Sequence, residues 1–235
     1  PQRILIDDSL VAKPPQAAVR DVLIGPVEGI LHYGFGAYKL LNGSPLRERP
    51  GGLERERTGL VGAAGQLTVA TVNLENLAAV SADERFSRLG AMLADQLRCP
   101  DVLALQEVQD DSGPADDGTV SAAATLGRVV AAAAAAGCGR YDWRLIDPVD
   151  GSAGGQPGGN IRNAFLFKPA RVEFVDRGPC GAADPIRLGP GGEPGCSPGP
   201  IDPMNPAFAA RDDGEGGSRR PLVGELRFAG ARLVL

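Results

Sequence analysis

PDVLALQEVQDD, residues 100–111, is the stretch on which the fold turns. Residues 102–105 are all apolar, and the run then switches abruptly to Gln106 and Glu107. A short apolar run, with Pro100 before it and Asp110, Asp111, Ser112 and Gly113 after it, reads as a buried strand of the parallel kind. Glu107 then sits at the carboxyl end of that strand, the edge of an open α/β sheet where ligands bind. A carboxylate there is either solvated and idle or a ligand for a hard cation.

Working upstream, QLTVATVN (residues 66–73) is a second strand. Leu67, Val69 and Thr71 face one way, Thr68, Ala70 and Val72 the other, and Asn73 falls at the carboxyl end. Ser81 and Glu84 have the spacing of a capping box. Phe86, Leu89, Leu93 and Leu97 recur at helical spacing and make one apolar face. Strand, helix, strand is a βαβ-like beginning, and parallel neighbours bring Asn73 and Glu107 to one edge. An amide oxygen and a carboxylate suit Mg²⁺ or Ca²⁺. An ion held there would serve phosphoester hydrolysis by polarising the phosphoryl group.

Downstream, residues 119–136 predict an alanine-rich helix ending at Gly137, and residues 141–146 a strand. Residues 151–159 form a glycine-rich loop. Residues 163–167 and 171–175 are strands joined by a turn, and residues 220–228 and 231–235 an antiparallel pair turning at Ala229 and Gly230. Between them, residues 178–218 make a long Pro/Gly-rich excursion almost without periodicity, a length that is often functional. The expected organisation is a partial β-rich domain over 1–57, a charged, glycine-rich linker over 58–66, and an α/β (α+β) domain over 67–235. His32, the one histidine, reads as structural, and Tyr33 and Phe35 beside it as β-domain core rather than a platform for stacking bases.

The composition is globular, with 43% hydrophobic and 23% charged residues. A net charge of −5 argues against holding nucleic acid by charge alone, but not against meeting phosphates through a bound metal. None of the four cysteines forms a C-x-x-C pair, which disfavours structural zinc. Cys180 and Cys196 share one loop that a disulfide would staple. Cys99 and Cys138 each follow a helical stretch and precede a strand, so both can lie at one edge of the sheet. Two plausible pairs point to an oxidising compartment. No apolar run approaches the length needed to span a bilayer. The chain starts at Pro1 without a signal peptide, and Arg232 to Leu235 stops within an apparent strand, the reading of a mature protein or a fragment.

TVNLENL (71–77) and ALQEVQD (104–110) resemble the first two motifs of the endonuclease/exonuclease/phosphatase superfamily, which includes pancreatic-type deoxyribonuclease, apurinic endonucleases, bacterial sphingomyelinases and inositol polyphosphate phosphatases. GGNIRNAFLFKPARV (158–172) and SRRPLVGELRF (218–228) resemble the core strands that follow in its secreted bacterial members. VEGILHYGFGAYKLL (27–41) is similar to the end of an OB-like, nucleic-acid-binding domain that precedes the catalytic domain in large bacterial extracellular nucleases. The resemblance implies a four-layer αββα sandwich of the deoxyribonuclease-like type, apparently truncated. It implies a secreted, monomeric, divalent-metal-dependent phosphodiesterase acting on DNA or RNA, with Mg²⁺, or else Mn²⁺ or Ca²⁺, as cofactor. Glu107 matches the family's metal-binding glutamate, and Asn73 the asparagine that orders the metal and phosphate site. Arg219 matches an arginine that touches substrate phosphate, and Arg162 lies where it could do the same. Glu75 is close to the site without being a ligand.

The family's chemistry also needs a histidine on a later strand, an Asp-x-Asn pair and a terminal Asp-His pair, and none is present here. The expectation is therefore an N-terminal fragment, inactive or nearly so. Two other readings stand beside it. One is a phosphoesterase of the same fold acting on phospholipid or a small phosphoester, less favoured because no apolar membrane-inserting loop is evident. The other is a non-catalytic nucleic-acid-binding or adhesion module.

Overall fold

The computed structural model describes residues 4–12, 14–154, 156, 158–178, 180–201 and 220–235. It divides into two units, Pro1–Glu56 and Arg57–Leu235.

The first unit is built of short strands: β1 (Leu5–Asp7), β2 (Val22–Ile24), β3 (Gly29–Gly34), β4 (Ala37–Asn42) and β5 (Arg47–Arg49). β3 and β4 form an antiparallel hairpin, β1 adds to β4 in parallel, and β2 pairs with β5. Two residues close the hairpin, Phe35 (φ 52°) and Gly36 (φ 77°), the positive angles that a two-residue turn of matching twist requires. Tyr33 and Phe35 are not core. Tyr33 is exposed and packs its ring 4.8 Å from that of Tyr38, and Phe35 at the hairpin tip is fully exposed at 104%. No hydrophobic residue of this unit is fully buried among the described residues. His32 is also exposed on β3.

The second unit is mixed α/β. Its strands and helices run β6 (Val69–Leu77), α1 (Asp83–Ala91) continued by one π turn (Met92–Gln96), β7 (Val102–Val108), α2 (Ala123–Ala135), β8 (Asp142–Leu145), β9 (Arg162–Phe167), β10 (Glu173–Val175), β11 (Gly199–Pro200), β12 (Leu222–Val223), β13 (Glu225–Phe228) and β14 (Ala231–Val234). The central sheet has the order β6-β7-β9-β8. β6 and β7 are parallel, as their helical connection dictates, whereas β9 is antiparallel to both of its neighbours. The parallel reading of residues 102–108 thus holds on one side of the strand only.

Strand alternation sorts the core into two layers. Leu103 and Leu105 of β7 and Ala164 and Leu166 of β9 face α1 and α2, packing on Phe86, Leu93, Leu126 and Val129. Val102, Phe165 and Phe167 point the other way, onto Phe174 and Leu226 of the second sheet, β10-β13-β14. The described residues of this unit thus place helices on one face of the central sheet and a second sheet on the other.

Several local expectations are corrected. No capping box forms at α1, because the Ser81 hydroxyl accepts from the Ala78 N–H and Glu84 pairs with Arg88 one turn on. α2 starts at Ala123 rather than residue 119, where Asp111 reaches from beyond β7 to accept the Thr125 N–H at 2.8 Å. Gly137 ends α2 with φ 88°, as expected. β6 continues past Asn73 to Leu77. The described part of the Pro/Gly-rich excursion is not structureless. Arg177 bridges to Ser197, Leu188 to Pro194, and β11 pairs with β12. Disulfides join Cys99 to Cys138, with Cα atoms 5.1 Å apart, and Cys180 to Cys196, 5.8 Å apart.

Two ion pairs fix connecting segments to the strands of the two sheets. The Arg171 guanidinium reaches Asp101 at 2.9 Å, where Thr68 also donates, and Arg177 reaches the buried Glu225 at 2.6 Å. Burial pushes the Asp101 carboxyl up, but Arg171 and Thr68 outweigh it and hold it below its ordinary value. Arg177 holds Glu225 low against the opposing effect of burial. Carboxylates depressed in the folded state stabilise it above their unfolded values, about pH 4, and lose that contribution as pH falls through the lowered folded values. Arg177→Ala is expected to raise the pH midpoint of acid unfolding followed by near-UV circular dichroism; an unmoved midpoint would remove this pair from acid stability.

Two helical glycines provide an opposed pair of packing tests. A methyl at Gly90 in α1 would meet the Ala132 carbonyl of α2 at 2.6 Å, whereas one at Gly127 in α2 would meet nothing within 4 Å. Gly90→Ala is expected to destabilise by about 1–3 kcal/mol through overpacking. Gly127→Ala should stabilise by about 0.5–1 kcal/mol through backbone entropy. Urea unfolding reads both, and effects of the same sign would contradict the helix–helix contact.

Candidate metal and phosphate site at the carboxyl edge of the central sheet

β6 and β7 run in register through the pair Asn73 and Gln106, and the ladder then slips before resuming at Leu77 and Val108. The β7–β9 ladder slips over the same interval, between Leu105 and Val108. Three non-glycine residues in these slips take left-handed backbone angles: Glu75 (φ 51°), Asn76 (φ 55°) and Glu107 (φ 55°). Each costs on the order of 1–3 kcal/mol. Bulges of this kind re-aim side chains, and they gather beside functional sites.

Here the slips bring Asn73 and Glu107 together. The Asn73 amide nitrogen donates to Glu107 Oε1 at 2.7 Å, and Asn73 Oδ1 accepts the Glu75 N–H at 2.8 Å. Arg85 from α1 donates to the carbonyls of Leu74 and Glu75 at 3.0 and 2.8 Å, which pins the bulge from behind. Thr71 and Gln106 bond to each other across the same edge at 2.9 Å. Asn73 thus presents its nitrogen to Glu107 and its oxygen to its own turn. It holds the carboxylate in place, and the oxygen expected to face an ion is engaged with backbone. Glu75 contributes backbone to the bulge.

Beneath this edge lies a buried polar network that the sequence reading missed. Asp110 is fully buried and accepts from the Gly113 N–H at 2.7 Å and from the backbone and side-chain nitrogens of Asn160 at 3.2 and 3.3 Å. Gln109 Oε1 accepts the Asn160 N–H at 2.8 Å. Gly159 allows the approach, since any Cβ there would collide with the Gln109 amide. Asp110 and Asp111 stand in the sequence as turn residues; only the paired glycines of GGN hinted that a backbone passes close by.

Arg162, which the resemblance places where it could touch substrate phosphate, belongs to this network. It is 3% exposed. Its Nη1 donates to Asp147 and to the Val120 carbonyl, and its Nη2 to the Asn160 carbonyl at 2.7 Å. Nε alone lacks a partner. Burial pushes the Arg162 guanidinium down and the Asp147 carboxyl up, while their attraction for each other opposes both shifts. Arg219 lies outside the described residues.

No cluster of three or more His, Cys, Asp or Glu side chains able to hold a metal occurs among the described residues. At the edge the Glu107 carboxylate is oriented by the Asn73 amide. That donor set suits Mg²⁺, which keeps several waters and takes one or two carboxylates plus substrate phosphate, better than Ca²⁺ with its six to eight oxygens. No helix among the described residues is long and apolar enough to cross a membrane.

No protein-family model and no curated protein matches the chain. Among solved structures it is similar to a humanised D. rerio TDP2 carrying 14 mutations, at 18% identity over 72% of this chain and 44% of that one, with a TM-score of 0.35. It is also similar to D. rerio TDP2 complexed with a single-strand DNA product, at 16% identity over 72% and 43%, with a TM-score of 0.36. The chain spans less than half the length of either.

Removing the Asp110 carboxylate would leave several buried N–H groups without an acceptor. Asp110→Ala is expected to lower the unfolding free energy by roughly 2–4 kcal/mol. A loss under about 1 kcal/mol in urea unfolding would show that the network does not hold the site from below.

Proposed function

We propose that this chain carries the ion-binding half of a divalent-metal-dependent phosphodiesterase acting on nucleic acid, within a four-layer sandwich of the deoxyribonuclease-like type. One observation carries the reading: adjacent parallel strands both bulge at their carboxyl ends, at a cost in backbone strain, to bring the Asn73 amide onto the Glu107 carboxylate. A fold that needed only a strand end would not hold three left-handed residues there. The motifs resembling the endonuclease/exonuclease/phosphatase superfamily fall on these residues.

Mg²⁺ bound at Glu107 would supply a Lewis acid for the phosphoryl oxygens. Glu107 holds the ion, and Asn73 fixes the carboxylate through its amide. Arg85 holds the bulge closed, and Arg219 is assigned to substrate phosphate by resemblance. The sequence's one histidine lies in the other unit, so a histidine base for activating water is not among the residues of this one. The two disulfides support an oxidising, extracellular setting.

Exposed Tyr33, Phe35 and Tyr38 favour a second reading, in which the first unit holds polymer by stacking and the chain binds without cleaving. Titration with Mn²⁺, followed by electron paramagnetic resonance, separates the two. The metal reading expects saturable binding that Glu107→Gln abolishes and Asn73→Ala weakens about 10- to 100-fold, as loss of a ligand-orienting partner does. Polymer binding indifferent to chelator, with no saturable Mn²⁺ binding, would favour the second.

A further inference from the structure

The amino edge of the central sheet holds a second strained segment, apart from the Glu107 site. The chain leaves the π turn through two successive left-handed residues, Arg98 (φ 57°) and Cys99 (φ 54°), just before β7 begins. The Cys99 backbone is fixed there. Its N–H donates to the Leu93 carbonyl at 2.8 Å, and its own carbonyl accepts from Lys168 Nζ at 2.6 Å. Its sulfur is bonded to that of Cys138, which lies just past the end of α2. The two halves of this disulfide differ. Cys138 is 5% exposed and belongs to the apolar core under the helices, whereas Cys99 is half-buried and packs at the rim of that core.

A surface depression of about 400 Å³ opens at Cys99, lined also by Arg57, Val61, Ala94, Asp95 and Arg98. The Thr58 N–H donates to the Gln96 carbonyl at 2.9 Å, which holds the stretch carrying Arg57 against the π turn. Arg57, Arg98 and Asp95 are exposed, and none of them is in an ion pair among the described residues. Two guanidiniums against one carboxylate leave the depression positive. Cations beside a sulfur favour its thiolate, and apolar burial disfavours it. Cys99 therefore stands on the reactive side of the bond and Cys138 on the inert side.

We propose that the Cys99–Cys138 disulfide is a thiol-exchange site, at which Cys99 takes up an anionic low-molecular-weight thiol of the glutathione class as a mixed disulfide. The incoming thiolate bonds to the Cys99 sulfur as the bond to Cys138 breaks, and Cys138 leaves as a thiolate and takes a proton from water. One disulfide is consumed and one is formed, so no further oxidant or reductant enters. Buried among apolar side chains, the Cys138 thiol stays protonated and is slow to reclose the original bond. The same burial makes it a slow leaving group, so exchange takes minutes to hours. The Leu93 and Lys168 contacts keep the Cys99 backbone in place once the bond is open. The site lies at the opposite end of β7 from Glu107 and does not depend on that residue holding an ion.

Incubation of the whole chain with excess reduced glutathione at neutral pH, stopped by alkylation and read by peptide mass mapping, tests it. The adduct is expected on Cys99, with the alkyl group on Cys138. At equal thiolate concentration and low salt, mercaptoethanesulfonate should react at least about threefold faster than cysteamine, whose ammonium the arginines repel, and high salt should close the gap. Arg57→Gln combined with Arg98→Gln should close it as well, with near-UV circular dichroism confirming that this variant folds. An adduct on Cys138, an adduct on neither cysteine, equal rates for the two thiols at low salt, or a preference that survives high salt or the folded double variant overturns the site.

Discussion

The hydrogen bond from the Asn73 amide to the Glu107 carboxylate is the contact on which the edge of this sheet depends. Two parallel strands reach it in register, and neither continues straight through. Left-handed angles at Glu75, Asn76 and Glu107 are tolerated because the surroundings over-determine them. Arg85 clamps the first bulge through two carbonyls, and the Asp110–Asn160 contacts fix the chain just after the second. The strain sits where chemistry is expected, and apolar packing below it carries the stability. Leu103 and Leu105 face the helices, Val102 faces the second sheet, and all three are almost fully buried.

Two buried carboxylates of the second unit are each met by an arginine. Glu225 meets Arg177 and Ser197, and Asp101 meets Arg171 and Thr68. Through these bonds a Pro/Gly-rich segment and the stretch before β6, neither with an apolar period of its own, are tied to the sheets. The Arg171 guanidinium also donates to the carbonyls of Ala63 and Gln66, fixing that stretch to the β9–β10 turn. Disulfides finish the task, one linking the ends of the two helical segments and one closing the loop between β10 and β11.

Strands β6, β7, β9 and β13 were legible because an apolar run or a period of two marks them. The adjacency of Asn73 and Glu107 followed from one intervening helix. What could not be read depends on partners distant in sequence. Glu75, Asn76 and Glu107 are not residues that advertise a left-handed backbone. Ser81 had the spacing of a cap, but its hydroxyl was taken by the Ala78 N–H. Arg162 read as a contact for substrate phosphate, and its enclosure rests on Asp147 and the Val120 carbonyl, 15 and 42 positions away. Tyr33 and Phe35 read as core because aromatic residues in strands usually are, but Tyr33 packs only on the exposed Tyr38 and Phe35 stands at the hairpin tip.

The central claim is that Glu107 marks where an ion binds. Paramagnetic broadening of backbone amide signals by substoichiometric Mn²⁺ in the uniformly ¹⁵N-labelled chain tests it most directly. The account predicts that the amides of residues 73–76 and 106–108 broaden first and together, and that Glu107→Gln removes the effect. Broadening centred instead on the aspartate-rich residues 110–117, and unchanged by Glu107→Gln, would contradict it.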